Sequence, residues 1–158
     1  MAVVLTFATT PNDNKSNNNN NTKGLLRVAY SGDCRPSPAL AALGRGADLL
    51  VHECTFDDAL AGDAVAKKHS TLSEALGVAR DMGARKVLLT HFSQRYPNIQ
   101  GVRPGSGEAN GSVAVDAPVL LAFDYMRVRL GDFRKAELFL PAIKKLYEGL
   151  EKDGPEMD

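Results

Sequence analysis

Three apolar runs in this chain break off into polar loops carrying a carboxylate or an imidazole, and no other feature restricts the fold as much. Leu26 to Tyr30 runs into Ser31-Gly32-Asp33, Leu49 to Val51 runs into His52-Glu53, and Val87 to Leu89 runs into Thr90-His91. Short apolar runs bounded by turn residues read as buried parallel strands. In open α/β architectures the working groups sit at the carboxyl ends of such strands, where loops aim them into one crevice. Asp33, the His52-Glu53 pair and His91 are therefore expected at one site.

The segments between these runs complete an α/β layered half-sandwich. Residues 3–8 form a short strand. The segment from Pro11 through the five asparagines at 17–21 has nothing to bury and reads as a disordered insertion in a hairpin connection, because lengthening a flexible loop costs little. Residues 1–24 are thus a strand plus an insertion, 25–150 the folded unit, and 151–158 a polar tail. Pro36 suits the first turn of a helix that carries Leu40, Ala41 and Leu43 inward and stops at Gly44 and Gly46. A second helix spans Asp57 to Lys68. In the third, Thr71 and Glu74 fit a capping box, Leu72, Ala75, Leu76, Ala79 and Met82 recur at helical spacing, and Gly83 supplies the left-handed stop. His69 and Ser70 then sit just outside the positive end of that helix, a place that favours anions such as phosphate. Residues 97–118 make an irregular excursion, Val119 to Phe123 and Met126 to Leu130 are closing strands, and apolar pairs between Leu138 and Tyr147 predict a last helix, regular from Pro141.

Composition narrows the chemistry. A chain of 158 residues with 19 basic and 19 acidic side chains forms one domain and has no global field to draw it to nucleic acid or an anionic membrane. Any nucleic-acid substrate needs a local patch. Cys34 and Cys54 lack C-x-x-C spacing, so a disulfide framework is not expected, and free thiols in a reducing compartment are. No apolar run approaches about 18 residues, which argues against a membrane span. The apolar start lacks a basic region before it and reads as a strand, not a secretion signal.

Taken singly, the polar residues at the strand ends have ordinary readings. Asp33 serves as well for a helix N-cap or turn residue as for a carboxylate bridging two metal ions. His91 fits a satisfied core histidine or a neutral imidazole ligand. His52 reads as structural, with Glu53 and Thr55 stitching its loop, whereas His69 at the helix mouth is placed to give a proton to an oxyanion.

Together they are specific. Tyr30-Ser31-Gly32-Asp33, His52-Glu53-Cys54-Thr55, Lys68-His69-Ser70-Thr71 and Thr90-His91-Phe92-Ser93-Gln94-Arg95-Tyr96 resemble, in order and spacing, the later motifs of long-form tRNase Z. Ala122 to Met126 and Gly131-Asp132-Phe133 resemble the family's C-terminal segment. The resemblance implies the C-terminal half of a metallo-β-lactamase αββα sandwich, and 3′ endonucleolytic processing of precursor tRNA with two zinc ions. It implies Asp33 and His91 as zinc ligands, Asp33 bridging the ions, and His69 assisting at the scissile phosphate. Glu53, Thr55, Ser70 and Thr71 are implied to lie near the acceptor stem. Cys34 and Cys54 stand where the family more often has Thr and Ala. The family's His-x-His-x-Asp-His motif is absent, and three histidines in all cannot supply a standard site, since a catalytic zinc normally has three protein ligands. The chain is therefore expected to be the C-terminal portion of such an enzyme, inactive alone and partnered by the missing N-terminal portion. A homodimer remains open. A nuclear or mitochondrial location is implied by the resemblance alone. The alternatives are a non-catalytic interaction module and another hydrolase of the same fold.

Overall fold

The structure, a computed structural model, describes residues 2–8, 25–92, 115–139 and 141–142. Five strands form one sheet in the order β1-β2-β3-β4-β5: Val3–Ala8, Leu25–Tyr30, Leu49–Glu53, Val87–Thr90 and Val119–Leu121. β1 pairs antiparallel with β2, its Ala8 opposite Leu25, so the two ends of the Asn-rich segment lie side by side as a hairpin connection requires. The β2–β3, β3–β4 and β4–β5 pairs are parallel, which brings the carboxyl ends of β2, β3 and β4 to one rim. Among the described residues four helices with both ends in view accompany the strands, α1 Pro38–Leu43, α2 Ala61–Lys67, α3 Leu72–Met82 and α4 Phe133–Glu137, and helical backbone begins again at 141–142.

Strand alternation sorts the sheet into two unlike faces. On one, Ala29, Leu50, Val87, Leu89, Val119 and Leu121 pack with Leu40 and Ala41 of α1 and Leu76, Ala79 and Met82 of α3. Each large side chain buried there contributes about 1.5–3 kcal/mol. His52 lies between Leu50 and Cys54 on this helix-covered side and is fully buried. On the opposite face, Val3, Leu5 and Phe7 of β1 line up with Tyr30, Val28 and Leu26 of β2, and Leu49, Val51 and Leu88 continue the row across β3 and β4. All nine are exposed or half-buried. Only toward β5, where α4 packs, does this side close over Leu120.

The third helix has the expected boundaries: Thr71 and Glu74 form both bonds of the capping box and Gly83 ends α3 at φ 63°. Elsewhere the expected elements shift. α1 begins at Pro38, because the Ser37 side chain accepts from the Leu40 amide, and Leu43 faces outward. The Asp57 to Lys68 segment is split, with Asp57 capping a 3-10 turn over Asp58–Leu60 before α2. β5 stops at Leu121, and 126–129 is not a strand: Asp124 and Tyr125 make a turn, and the chain passes into a 3-10 turn at Leu130–Asp132. Ahead of the helix expected from Pro141, α4 adds a short turn of helix at Phe133–Glu137, and helical backbone resumes at 141–142, the last of the described residues. The insertion, most of the 97–118 excursion, the Ser93–Tyr96 loop and the helix beyond Ala142 fall outside the described residues.

Candidate functional site

The site is built outward from a buried carboxylate. Glu53 closes β3 and is 1 % exposed. Burial alone would push its carboxyl pKa up; hydrogen bonds from the Thr55 side chain, the Ser70 and Cys34 amides and His69 outweigh that and hold it below the ordinary value. Oε1 accepts from the Cys34 amide at 2.6 Å and from His69 Nδ1 at 2.9 Å. Oε2 accepts from Thr55 Oγ1 at 2.6 Å, the Ser70 amide at 3.1 Å and the Thr55 amide at 3.3 Å. A buried anion so fully paired is stable and ties three loops together.

Thr55 sets the two imidazoles. A hydroxyl has one proton, and Thr55 gives it to Glu53, which can only accept. Its oxygen is then free to accept from His91 Nδ1–H at 2.8 Å, which assigns the His91 proton to Nδ1 and leaves Nε2 with its lone pair. His69 likewise donates Nδ1–H to Glu53, with Thr55 Oγ1 a second neighbour at 3.3 Å, so its own Nε2 is left for other partners. The two rings stack with centroids 5.3 Å apart and an interplanar angle of 26°. His91 takes φ 61°, a left-handed conformation unusual outside glycine, which turns the chain at the end of β4 toward Thr55. Lys68 does the same at φ 63° directly before His69.

His91 Nε2 faces Asp33 Oδ2 at 3.6 Å, with Asp33 and His91 side chains 57 % and 46 % exposed. That distance is too long for a hydrogen bond. With Nε2 unprotonated, the two acceptor atoms offer a cation a place between them. Zinc ligands about 2.0–2.2 Å from the metal at a tetrahedral angle lie about 3.4 Å from each other, so the pair fits one shared zinc ion. Glu53, His69 and His91 can also bring donor atoms within 4.8 Å of one another. Glu53, however, already accepts from four donors besides His69, and this makes it an orienting group instead of a ligand.

The residues expected near the site divide on this geometry. Asp33, His69 and His91 converge, and Thr55, half-buried, joins the two imidazoles. Ser70 and Thr71 are buried, with Ser70 Oγ donating to the Cys34 carbonyl and the Thr71 amide to Glu74. Together with Glu53 they present no free polar atom to a substrate; they hold the loop that presents His69. The anion site expected at the start of α3 is corrected for the same reason, since Glu53 and Glu74 already occupy the Ser70 and Thr71 amides. His52 is buried: Nδ1 donates to the Glu53 carbonyl at 2.7 Å, Nε2 has no hydrogen-bond partner among the described residues, and burial holds its pKa down. Both cysteines are free thiols, and burial pushes Cys54 up to about 12.

Arg35 was not among the expected site residues. Its guanidinium donates to the His69 carbonyl at 2.6 Å and pairs through both nitrogens with Glu74, tying the Asp33 loop to the His69 loop. Its partners lie 34 and 39 residues away, a separation no local pattern reveals.

Residues 5–92 match the family model for the Beta-lactamase superfamily domain. The chain is 42 % identical over 121 residues to zinc phosphodiesterase ELAC protein 2 of Rattus norvegicus, covering 77 % of this chain and 14 % of that protein. It is 40 % identical over 121 residues to the mitochondrial tRNAse Z TRZ4 of Arabidopsis thaliana, covering 77 % of this chain and 12 % of that one. The solved structure of a long-form RNase Z from yeast superposes with a TM-score of 0.75 at 34 % identity, covering 99 % of this chain and 19 % of that chain. The chain thus spans about one-seventh of the length of the curated relatives it matches.

Proposed function

From the premise that this chain belongs to the Beta-lactamase superfamily domain family, we propose that it is the C-terminal part of a zinc-dependent endoribonuclease that processes the 3′ end of precursor tRNA. The observation that carries this reading is the facing of Asp33 Oδ2 and His91 Nε2 at 3.6 Å, beside a stacked His69. Asp33 and His91 would hold zinc. When bound, the metal supplies a water acidified toward pH 7 and positive charge opposite the attacked phosphate.

The chain's own residues divide the remaining work. Thr55 keeps the His91 proton on Nδ1, so Nε2 stays a ligand. Glu53 holds His69 by Nδ1–H, and His69 Nε2, when protonated, delivers a proton to the departing 3′ oxygen. The remaining ligands come from a polypeptide carrying the His-x-His-x-Asp-His motif that these 158 residues lack. With a net charge of +0, this chain contributes little of the phosphate attraction that dominates tRNA binding and is inactive alone. The mitochondrial address in the name of the Arabidopsis relative, and a nuclear one by resemblance, extend the same reading.

Mixing this chain with a separately produced segment bearing that motif tests the proposal. Zinc-dependent cleavage of a precursor tRNA is expected from the mixture and from neither piece alone. Inertness of the mixture beside an active full-length control overturns it. Within the active mixture, His69→Ala is expected to slow cleavage about 10²–10⁴-fold with zinc content unchanged.

A further inference from the structure

Two bonds join the loop that follows Asp33 directly to the loop of His69: Ser70 Oγ donates to the Cys34 carbonyl at 2.7 Å, and Arg35 Nη1 donates to the His69 carbonyl at 2.6 Å. Arg35 is itself anchored. Nη1 also donates to Glu74 Oε2 at 2.7 Å and Nη2 pairs with Glu74 Oε1, while Glu74 Oε2 takes the Thr71 amide at 2.9 Å in the capping box of α3. We propose that Arg35 is a positioning residue for His69, fixing the direction in which its imidazole meets the departing 3′ oxygen. This deepens the nuclease reading given above and rests on it.

A side chain is aimed by the two peptide planes that flank its Cα, and at His69 both are held. The His69 amide donates to the Ala64 carbonyl of α2 at 2.9 Å, directly after Lys68 at φ 63°. The next peptide unit is gripped at both ends, its carbonyl by Arg35 and its Ser70 N–H by Glu53 Oε2 at 3.1 Å. Glu53 Oε1 takes the ring's Nδ1–H at 2.9 Å. One hydrogen bond at Nδ1 leaves the ring free to swing about that contact. With the carbonyl also fixed, the swing is confined and Nε2 keeps one bearing, as a reacting group held to within about 0.5 Å requires.

Arginine suits this task, because its planar fork offers donors in fixed directions and reaches Glu74 and the His69 carbonyl at once. The other role for an arginine beside a nuclease site is to clamp a phosphate. Glu74 opposes that role, since a guanidinium paired through both nitrogens with a carboxylate has its charge already matched. With the Arg35 and Glu74 side chains 32 % and 29 % exposed, the pair adds little stability, and its loss leaves the fold standing.

In the step concerned, the bond from phosphorus to O3′ breaks, its electron pair stays on O3′, and the proton of His69 Nε2 passes to that oxygen. His69 is left neutral with its remaining proton on Nδ1. Arg35 touches no reacting atom, so its effect scales with the leaving oxygen's need for that proton.

The mixture of this chain with the segment bearing the His-x-His-x-Asp-His motif tests the assignment. Arg35→Met is expected to lower kcat on precursor tRNA about 10–10²-fold, with KM and zinc content unchanged. On bis(p-nitrophenyl) phosphate, whose nitrophenolate leaves without a proton, the loss is expected to be about a tenth as large. With His69→Ala already present, Arg35→Met is expected to add about twofold at most, because a residue acting through His69 then has nothing to aim. Arg35→Lys keeps the charge beside Glu74 and with it the fold, and is expected to show the same pattern with smaller losses. Equal losses on the two substrates, a loss that adds in full to that of His69→Ala, a raised KM in place of a lowered kcat, or variants as active as the wild type overturn the role of Arg35 while the nuclease reading stands. A wild-type mixture inert on precursor tRNA beside an active full-length control overturns both.

Discussion

Two carboxylates at the ends of neighbouring strands have opposite surroundings. Glu53, closing β3, is buried and accepts hydrogen bonds from three loops. Asp33, just past β2, is more than half exposed and faces the His91 ring at 3.6 Å. The difference separates two tasks that the sequence places in one polar cluster. A carboxylate with every lone pair used fixes geometry, and one with lone pairs to spare can take a ligand. The fold puts them on one rim so that the first aims the imidazoles beside the second.

The largest effect that can break this contrast is Glu53→Ala. It strands the Ser70 and Cys34 amides and the Thr55 hydroxyl in a dry site, and a loss of about 3–5 kcal/mol of stability is expected, as when one member of a buried charged pair is removed. Urea unfolding measures it. Glu53→Gln should recover only part of the loss, because its NH₂ group points a donor at donors. A loss below about 1 kcal/mol would mean that Glu53 does not hold the loops.

Thr55→Val sharpens the comparison from the other side. The substitution nearly keeps the shape and removes the acceptor that holds the His91 proton on Nδ1. Outer-shell partners of this kind are worth about 10–100-fold in metal affinity. In the reconstituted mixture, zinc competition against a coloured chelator is expected to show a weakening of that order, with the fold kept. Unchanged affinity would leave the His91 tautomer to some other group.

Acid separates the two regions by pH. The folded pKa of His52 is depressed by burial below its ordinary 6.5, so the unfolded chain takes up the proton first; stability is full above about 6.5 and declines as pH falls below it toward the folded value. Glu53, also depressed, contributes stability that is full above its ordinary 4.5 and lost as pH falls through the folded value. Urea midpoints measured against pH should therefore drop in two stages. His52→Gln is expected to remove the first and leave the second.

What the sequence disclosed follows from range. The capping box of α3 and its glycine stop involve residues three and one apart, and the apolar runs of β2, β3 and β4 are contiguous, so each was legible locally. Asp33 and His91 were legible as strand-end residues once their runs were placed. The use of Glu53 and Ser70 was not, because the hydrogen bonds that join them to each other, to His69 and to Cys34 cross 16 to 36 residues, and only tertiary contact turns such polar groups inward. The expected strand over 126–130 failed for a related reason. Among the described residues no strand lies beyond β5 for it to pair with, and Tyr125 at φ 64° turns the chain away.

The smallest effect on the fold is expected from Asp33→Asn, and its smallness is informative. Asp33 lies past the end of β2 and is more than half exposed, and Ser37, not Asp33, accepts from the Leu40 amide to cap α1. Exposed substitutions away from caps and networks stay within about 0.5 kcal/mol. The urea midpoint should therefore not move, while zinc uptake by the reconstituted mixture falls, because an amide oxygen is a neutral and weaker ligand than a carboxylate. The outcome distinguishes two kinds of strand-end carboxylate. If Asp33→Asn destabilises the chain as Glu53→Ala does, Asp33 is a second structural anchor and the rim has no carboxylate free for metal. If the fold is indifferent and the metal is lost, the exposed carboxylate is maintained for a ligand that the protein alone does not provide.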